Sequence, residues 1–399
     1  MTDGSRSPAI ATYRKPKLPL KVRLSISLLS AIKDATRRAD GTINRRLLSF
    51  LNLRVPPNPT TVHGVRTIDL TVDPARKLWF RLFLPGDGRP QRLPLIVFFH
   101  GGGFVYFSPD TRGYDLACRR IARKIPAIIA SVNYRLAPEH RYPAHYEDGI
   151  DVLRFVDSGG IDAVAGDLVD FSSCFLSGDS AGANIAHHVA RRWAATGGGW
   201  NKKNLQQVNL SGIVLIQPYF GGEERTESEI RLNRAPLVST KRTDWLWRAF
   251  LPPGADRDHE AANVFGPRAT GELEEGFPPA MVVVGGQDPL QDRQRSYCEG
   301  LKARGREVRL VEFPEAIHAF YVFPDIADGD RMIEEMGSFI SLSPLDHNPL
   351  LKIYENYGVT KIYNGNQLNK CGRLAGACFL LLLNLSDSFS KTLTVTIYA

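Results

Sequence analysis

Seven apolar runs alternate with helical patterns through most of this chain, and that alternation restricts its fold more than any other feature. The runs are LWFRLFLP, LPLIVFFH, AIIASVNY, SSCFLSGD, GIVLIQPYF, AMVVVGGQD and VRLVEFP. Apolar periodicity predicts helices over 113–124, 143–157, 181–195, 290–304 and 328–341. The alternation indicates βαβ units and therefore an α/β fold with a mostly parallel central sheet and helices on both faces. Ligands of such sheets bind at the carboxyl ends of the strands.

The N-terminal part has a different organisation. Residues 19–53 have helical periodicity that breaks at Asp40 and Gly41, and the Pro-rich VPPNPT follows. We therefore expect a basic arm with two short helices over 1–54, an α/β domain over 55–344 and an atypical, poorly ordered tail over 345–399. The tail run CFLLLLNL is too short to span a membrane.

Charge and cysteine usage limit the partners. The net charge of +8 is local, because residues 1–54 hold twelve Lys and Arg against three Asp and Glu, while 55–344 hold 33 against 36. With no aromatic platform beside the basic arm, we expect no nucleic-acid partner. Five scattered cysteines predict reduced thiols and no metal site. No apolar leader or membrane-length run occurs, which predicts a cytoplasmic protein, with a nuclear location also open. Oligomeric state is not constrained.

The stretch FLSGDSAGAN, residues 175–184, places Ser180 between Gly178 and Gly182. An apolar run ends just before it, and ANIAHHVARRWA after it repeats apolar residues about every four. The serine is therefore predicted at a sharp strand-to-helix turn, where the helix N-terminus offers N–H groups to a developing anion. This context favours a nucleophile over a small residue in a turn.

The stretch HGGGFVYF, which begins with His100 and Gly101, directly follows another predicted strand. Its glycines let the backbone approach a substrate, so the N–H groups of Gly102 and Gly103, with that of Ala181, are candidates for an oxyanion hole. A phosphate-binding turn is the rival interpretation, but the Walker lysine and the G-x-G-x-x-G spacing are missing. An ordinary structural turn is the other alternative.

A serine nucleophile needs a base and an acid that orients the base. If the order along the chain is Ser, acid, His, then His318 is the better base, because it lies between a predicted strand and a helix, whereas His259 lies in a polar loop. Asp288 closes the strand AMVVVGGQ and is the preferred acid. Asp292, one helical turn later, reads better as a cap or ion-pair partner.

In this order, HGGG, YRLAPEHRYPA, GDSAGAN, DPLQD and the late histidine resemble the hormone-sensitive-lipase branch of the α/β hydrolases. The segments RRADGTINRRLLSFLN, GGEERTESE and DWLWRAFLPPGADRDHEAANVFGP narrow the resemblance to plant carboxylesterases, a group that includes the soluble gibberellin receptor. The resemblance covers about residues 16–342. It implies an α/β-hydrolase fold, a triad of Ser180, Asp288 and His318, no cofactor, and N-terminal helices that act as a lid.

Three function classes follow. The favoured class is a serine carboxylesterase that acts on small or medium acyl esters, so the expected partner is a small-molecule ester substrate. The alternative is a hormone-binding protein without turnover. The gibberellin receptor lacks the catalytic histidine and has Ser where this chain has Gly103, so the presence of His318 favours hydrolysis. A structural or nonspecific binding protein is the third class.

Aromatic residues near these motifs are candidates for the substrate pocket. Phe104, Tyr106, Trp245 and Trp247 are predicted to line the acyl or alcohol site, although a core position is equally consistent with aromatic side chains.

Two further expectations concern the loops. Ala319 follows His318 where the family usually has glycine, a change of one methyl that should leave the imidazole usable. Glu139, Asp148 and Asp179 are predicted to hold loops by hydrogen bonds rather than to act in catalysis.

Overall fold

The apolar runs become the strands of one sheet because both faces of that sheet are covered. The computed structural model describes residues 16–38, 40–86, 92–198, 208–269 and 272–341. In these ranges one sheet has the strand order β1-β2-β4-β3-β5-β6-β7-β8. The strands are β1 (Val65–Asp73), β2 (Leu78–Pro85), β3 (Leu93–Phe99), β4 (Ile128–Asn133), β5 (Val169–Asp179), β6 (Leu210–Ile216), β7 (Ala280–Gly285) and β8 (Val308–Phe313).

The sheet is mostly parallel, as the alternation predicts. Only the β1–β2 and β2–β4 pairs among these strands are antiparallel. Strand β1 is absent from the sequence prediction, because VRTIDLTVD alternates polar and apolar residues at the sheet edge instead of forming an apolar run. The α/β class and the mostly parallel sheet are confirmed.

Helices cover both faces. They are α1 (Leu20–Thr36), α2 (Arg45–Leu51), α3 (Arg112–Lys124), α4 (Ala144–Asp157), α5 (Asp162–Ala165), α6 (Ala181–Trp193), α7 (Glu227–Arg231), α8 (Thr240–Phe250), α9 (Gln291–Ala303) and α10 (Asp328–Ser341). The five helices predicted in the α/β domain match α3, α4, α6, α9 and α10 to within two residues. Three other helices of this domain, α5, α7 and α8, were not predicted from the sequence. Of these, α7 and α8 follow β6.

Strand β3 illustrates how the two cores form. Its side chains alternate between the faces, so Leu95, Val97 and Phe99 enter the core under α4 and α6, while Ile96 and Phe98 enter the core under α3 and α10. Each fully buried side chain of this size stabilises the fold by about 1.5–3 kcal/mol relative to exposure. This two-sided burial explains why the central strands are continuously apolar.

The N-terminal helices pack against the domain by one side of α1. Val22 and Ile26 of that helix are buried in the core under α3 and α10. The predicted break between the helices is real: Asp40 Oδ1 accepts the Thr42 N–H at 2.9 Å, and Asn44 then caps α2.

All described residues belong to one compact unit, Met1–His347, so the N-terminal helices and the sheet are not separate bodies. The predicted tail over 345–399 lies outside the described residues.

Candidate active site

Ser180 lies at the turn between β5 and α6, where its φ of 54° is in the left-handed region that non-glycine residues rarely occupy. The turn can be this sharp because Gly178 and Gly182, which flank Ser180, allow the backbone of the turn to pack closely against the backbone at the end of β3. A Cβ on Gly182 would collide with the carbonyl oxygen of Phe99, and one on Gly178 would lie 2.6 Å from the same oxygen. The predicted strand-to-helix turn is therefore present, with its serine hydroxyl at the carboxyl edge of the sheet.

Asp288 and His318 meet at the same edge, although they lie in different loops. Asp288 follows β7 and His318 follows β8. Their side chains are buried, and His318 Nδ1 lies 2.7 Å from Asp288 Oδ2. This contact leaves Nε2 as the imidazole nitrogen available to Ser180. Both Ser180 and His318 line one cavity, and no hydrogen bond between the two side chains occurs among the described residues.

Two glutamines that the sequence analysis did not select hold this pair. Gln294 Nε2 donates to Asp288 Oδ2 at 2.9 Å, and Gln217 Nε2 donates to the same oxygen at 3.1 Å. Gln217 Oε1 also accepts the Ala319 N–H at 2.7 Å. Ala319 has a φ of 58°, a conformation in which glycine would be unstrained, which accounts for glycine being usual there. The Gln217 side chain thus connects Asp288 to the loop that carries His318.

The candidate oxyanion donors have no competing partners. The backbone N–H groups of Gly102, Gly103 and Ala181 donate to no other group in the described part of the chain. Gly102 and Gly103 have φ values of 113° and 64° and line the cavity. Ala181 is buried at the first position of α6, beside Ser180, and is not among the lining residues.

Asp179 joins the Ser180 turn to the Gly-rich loop that carries Gly102 and Gly103. Its Oδ1 accepts the Gly101 N–H at 2.8 Å, and its Oδ2 accepts the Tyr114 hydroxyl at 3.0 Å. Burial raises the pKa of Asp179 to about 6, against the opposing effect of His318. This is the loop-holding role that the sequence analysis expects for Asp179. Asp148 has a similar role, because it accepts the Arg135 N–H at 2.8 Å.

His100 has a supporting position. Its ring stacks on Tyr134 with centroids 4.3 Å apart, and Nδ1 lies 2.9 Å from Gly101 O. Burial lowers the pKa of His100 to about 4, so the ring is neutral at ordinary pH. His100 therefore supports the Gly-rich loop from the side that faces away from the cavity.

The cavity beside Ser180 has a volume of about 430 Å³, within the range of small-molecule sites. Helix α1 contributes three of its lining residues, Ser25, Leu29 and Lys33. Apolar side chains from several other segments form most of the remaining wall: Leu53, Phe107, Leu116, Leu237, Val238, Leu246, Leu290, Val322 and Phe323.

The four aromatic candidates do not line this cavity. Phe104 is fully buried and stacks on Phe250 at 3.7 Å, and Tyr106 and Trp247 are also in the core. Trp245 lies outside the cavity and stacks with the Arg37 guanidinium at 5.7 Å. The prediction is wrong for all four.

These aromatic side chains miss the cavity because of the direction in which each segment turns its residues. In α8 the residues on the cavity side are Arg242, Thr243 and Leu246, spaced three and four apart, so Trp247 falls on the core side. Phe107, not Phe104 or Tyr106, supplies the aromatic wall from the Gly-rich loop.

Two other observations concern the described ranges only. None of the helices there is both long and apolar enough to cross a bilayer. No group of three or more potential metal ligands comes together within them.

Comparison with known families agrees with this architecture. Residues 96–322, which include the Gly-rich loop, the Ser180 turn, Asp288 and His318, match the model of a family with the alpha/beta hydrolase fold. The chain belongs to the α/β hydrolases. The resemblance inferred from the motifs is thereby confirmed.

Relatives of this α/β hydrolase fall into two functional groups. It is 38% identical to the gibberellin receptor GID1C of Arabidopsis thaliana over 82% of this chain and 95% of the receptor. It is 36% identical to carboxylesterase 20 of the same plant over 70% of this chain and 86% of that protein. Sequence similarity alone therefore places the hydrolase near both plant carboxylesterases and receptors.

Solved structures give the same fold. The hydrolase matches an esterase of Pyrobaculum calidifontis with a TM-score of 0.60 and 28% identity, over 83% of this chain and 95% of that one.

Proposed function

We propose that this protein is a serine carboxylesterase in which Ser180 is the nucleophile, His318 the base and Asp288 the orienting acid. The observation that carries the proposal is the 2.7 Å contact between His318 Nδ1 and Asp288 Oδ2 at a cavity that Ser180 also lines. A carboxylate fixed on Nδ1 selects the imidazole tautomer whose Nε2 accepts a proton.

In the first half of the reaction, Ser180 Oγ attacks the ester carbonyl carbon while His318 Nε2 takes the hydroxyl proton. The carbonyl oxygen becomes an oxyanion that the N–H groups of Gly102, Gly103 and Ala181 stabilise. Collapse of the tetrahedral intermediate breaks the bond to the alcohol oxygen, which receives the proton from His318. The alcohol departs and the acyl group stays on Ser180.

In the second half, a water molecule gives a proton to His318 Nε2 and attacks the acyl carbon. The second intermediate collapses with release of the carboxylic acid, and the proton returns to Ser180 Oγ. Throughout, Asp288 stabilises the imidazolium that forms twice in each cycle. The apolar wall of the cavity favours small or medium acyl chains.

The experiment is hydrolysis of 4-nitrophenyl acetate and longer acyl esters. We expect turnover by wild type and a loss of about 10⁴-fold or more in kcat for Ser180→Ala and for His318→Ala. Ser177→Ala is a matched control, because Ser177 is on the same strand and donates to Val214 O instead of lining the cavity. His259→Ala is the control for the imidazole. Equal activity of wild type and Ser180→Ala would refute the proposal.

The second candidate is a gibberellin-binding protein with little turnover. The observation in its favour is that α1 contributes to the cavity wall, so a ligand there would contact the N-terminal helices, which we propose act as a lid. Absence of hydrolysis together with tight, saturable gibberellin binding would support this candidate. Gibberellin binding that has no effect on ester turnover would not support this candidate.

A further inference from the structure

The cavity beside Ser180 has an excess of cationic side chains in a mostly apolar wall. Lys33 of α1, Arg112 of α3 and Arg242 of α8 line it, against one carboxylate, that of Asp179. Neutral esters do not require these charges. Their partners in the protein therefore decide whether any of them is available to a ligand.

The Asp179 and Arg242 charges are already engaged. Both oxygens of Asp179 accept hydrogen bonds, as described above. Arg242 forms a two-point ion pair with Asp34, through Nε at 3.1 Å and Nη2 at 2.7 Å. Asp34 also pairs with Arg37. Arg112 is exposed, so water screens its charge.

Lys33 is different, because it is half-buried and forms no ion pair within the described ranges. In the described ranges no carboxylate lies within 4.0 Å of its Nζ, and no hydrogen bond from Nζ occurs. The ammonium sits 5.0 Å from the ring centroid of Phe107 and 5.5 Å from that of Tyr106. Burial and the neighbouring Arg242 charge lower the pKa of Lys33 to about 8, although the more distant carboxylates of Asp179 and Asp34 oppose this shift. An unpaired, partly desolvated cation beside a second cation is costly unless a ligand supplies an anion.

We propose that the natural substrates of this site are esters that carry a carboxylate, and that Lys33 Nζ binds this carboxylate from α1. The proposal rests on the esterase function proposed above. The apolar wall would hold the carbon skeleton, and Lys33 would hold the charged end. A charge-assisted hydrogen bond of this kind contributes about ten- to hundredfold in affinity.

Isosteric pairs of esters test the proposal on both sides of the scissile bond. On the acyl side, 4-nitrophenyl hydrogen adipate carries the carboxylate, and its primary amide, 4-nitrophenyl adipamate, is neutral. On the alcohol side, the pair is 4-acetoxybenzoate and 4-acetoxybenzamide. The measured quantity is the ratio of kcat/KM for the anionic ester to that for its neutral partner. We expect a ratio above one in one of the two pairs.

Three variants test whether Lys33 causes the preference for the anionic ester. Lys33→Met, which keeps most of the unbranched side chain but removes the charge, should lower the ratio about tenfold or more, and Lys33→Arg should restore most of it. Lys21→Met is the matched control, because Lys21 is an exposed lysine of the same helix outside the cavity, and we expect it to leave both rates unchanged. Wild-type ratios near or below one in both pairs, or ratios that Lys33→Met does not alter, would overturn the proposal.

Binding measurements separate this proposal from the esterase function. In the Ser180→Ala background, calorimetric Kd values of the same pairs need no turnover, and the anionic member should bind more tightly only when Lys33 is present. Charge-dependent binding without wild-type hydrolysis would refute the esterase and keep the anion site. Hydrolysis of both members without charge discrimination would refute the anion site alone.

Discussion

Gln217 Nε2 donates a hydrogen bond to Asp288 Oδ2 over 3.1 Å, and the same carboxylate oxygen contacts His318 Nδ1. The other end of the amide accepts the N–H of Ala319, the residue after His318. Gln217 directly follows β6, so a third strand end holds both Asp288 and the loop of His318. In the proposed triad Gln217 is therefore a positioning residue that touches no reacting atom.

Gln217→Leu should therefore lower kcat without a comparable change in KM. The leucine leaves the Ala319 N–H unpaired and removes one donor from Asp288, which costs about 1–3 kcal/mol of stability. We expect kcat for 4-nitrophenyl acetate to fall by roughly tenfold, as His318 loses its fixed orientation. Steady-state kinetics with thermal unfolding checks this. A change confined to KM or to stability would contradict a positioning role.

Asp288→Asn should abolish most of the activity while Asp292→Asn should not. Asparagine at 288 presents an amide to His318 Nδ1 and no longer selects the tautomer, and we expect a loss of about 10⁴-fold in kcat. Asp292 instead accepts the Ser228 N–H at 2.8 Å and pairs with Arg295, away from the imidazole. Kinetics of the two variants assigns the acid. Similar losses in both would contradict the assignment to Asp288.

Gly182→Ala tests the steric basis of the Ser180 turn. The added Cβ would meet the carbonyl oxygen of Phe99 in β3, and neither backbone can move without disturbing the sheet. We expect a destabilisation of about 3 kcal/mol or more. The control is Gly337→Ala in α10, where the nearest atom is 3.4 Å from the new Cβ and alanine favours the helix by about 0.5–1 kcal/mol. Urea unfolding measures the stability of both variants, and equal unfolding midpoints for Gly182→Ala and Gly337→Ala would contradict the steric argument.

Much of the fold and the central site could be read from the sequence, because each depends on local pattern. Strands buried on both faces are apolar throughout, and a G-x-S-x-G between a strand and a helix has few other uses. Ser180, Asp288 and His318 could be selected from the sequence because each lies shortly after the end of a strand.

What the sequence did not reveal depends on side-chain direction and on distant partners. Gln217 and Gln294 are ordinary buried amides until the fold brings them to Asp288. Trp247 looked like a pocket residue, but the phase of α8 turns Leu246 to the cavity instead. That phase is set by the packing of Trp247 and Phe250, on one side of α8, against Phe104 and Tyr219 of other segments, which no local pattern encodes.

The pKa of Asp179 predicts a pH-dependent stability. Burial raises the pKa of this carboxyl from 3.8 to about 6, so the folded chain holds the proton more tightly than the unfolded chain does. Its stabilising contribution is complete below about pH 4 and is lost as the pH rises through about 6. The Tm of wild type relative to Asp179→Asn should therefore fall from about pH 4 to about pH 7. Parallel Tm curves in scanning fluorimetry would contradict this.

The last prediction concerns Arg45, which fastens α2 to two loops of the domain. Its guanidinium pairs with Glu139 at 2.6 Å and donates to the carbonyl oxygens of Val105 and Ala137, both at 2.6 Å. If the N-terminal helices act as a lid, Arg45→Met should raise amide exchange in α1 and α2 and raise KM by roughly tenfold, since three charge-assisted contacts are lost. Arg46→Met is the matched control, because Arg46 is exposed and its guanidinium forms no ion pair or hydrogen bond with the described residues. Unchanged exchange and KM in Arg45→Met would show that this contact does not control access to Ser180.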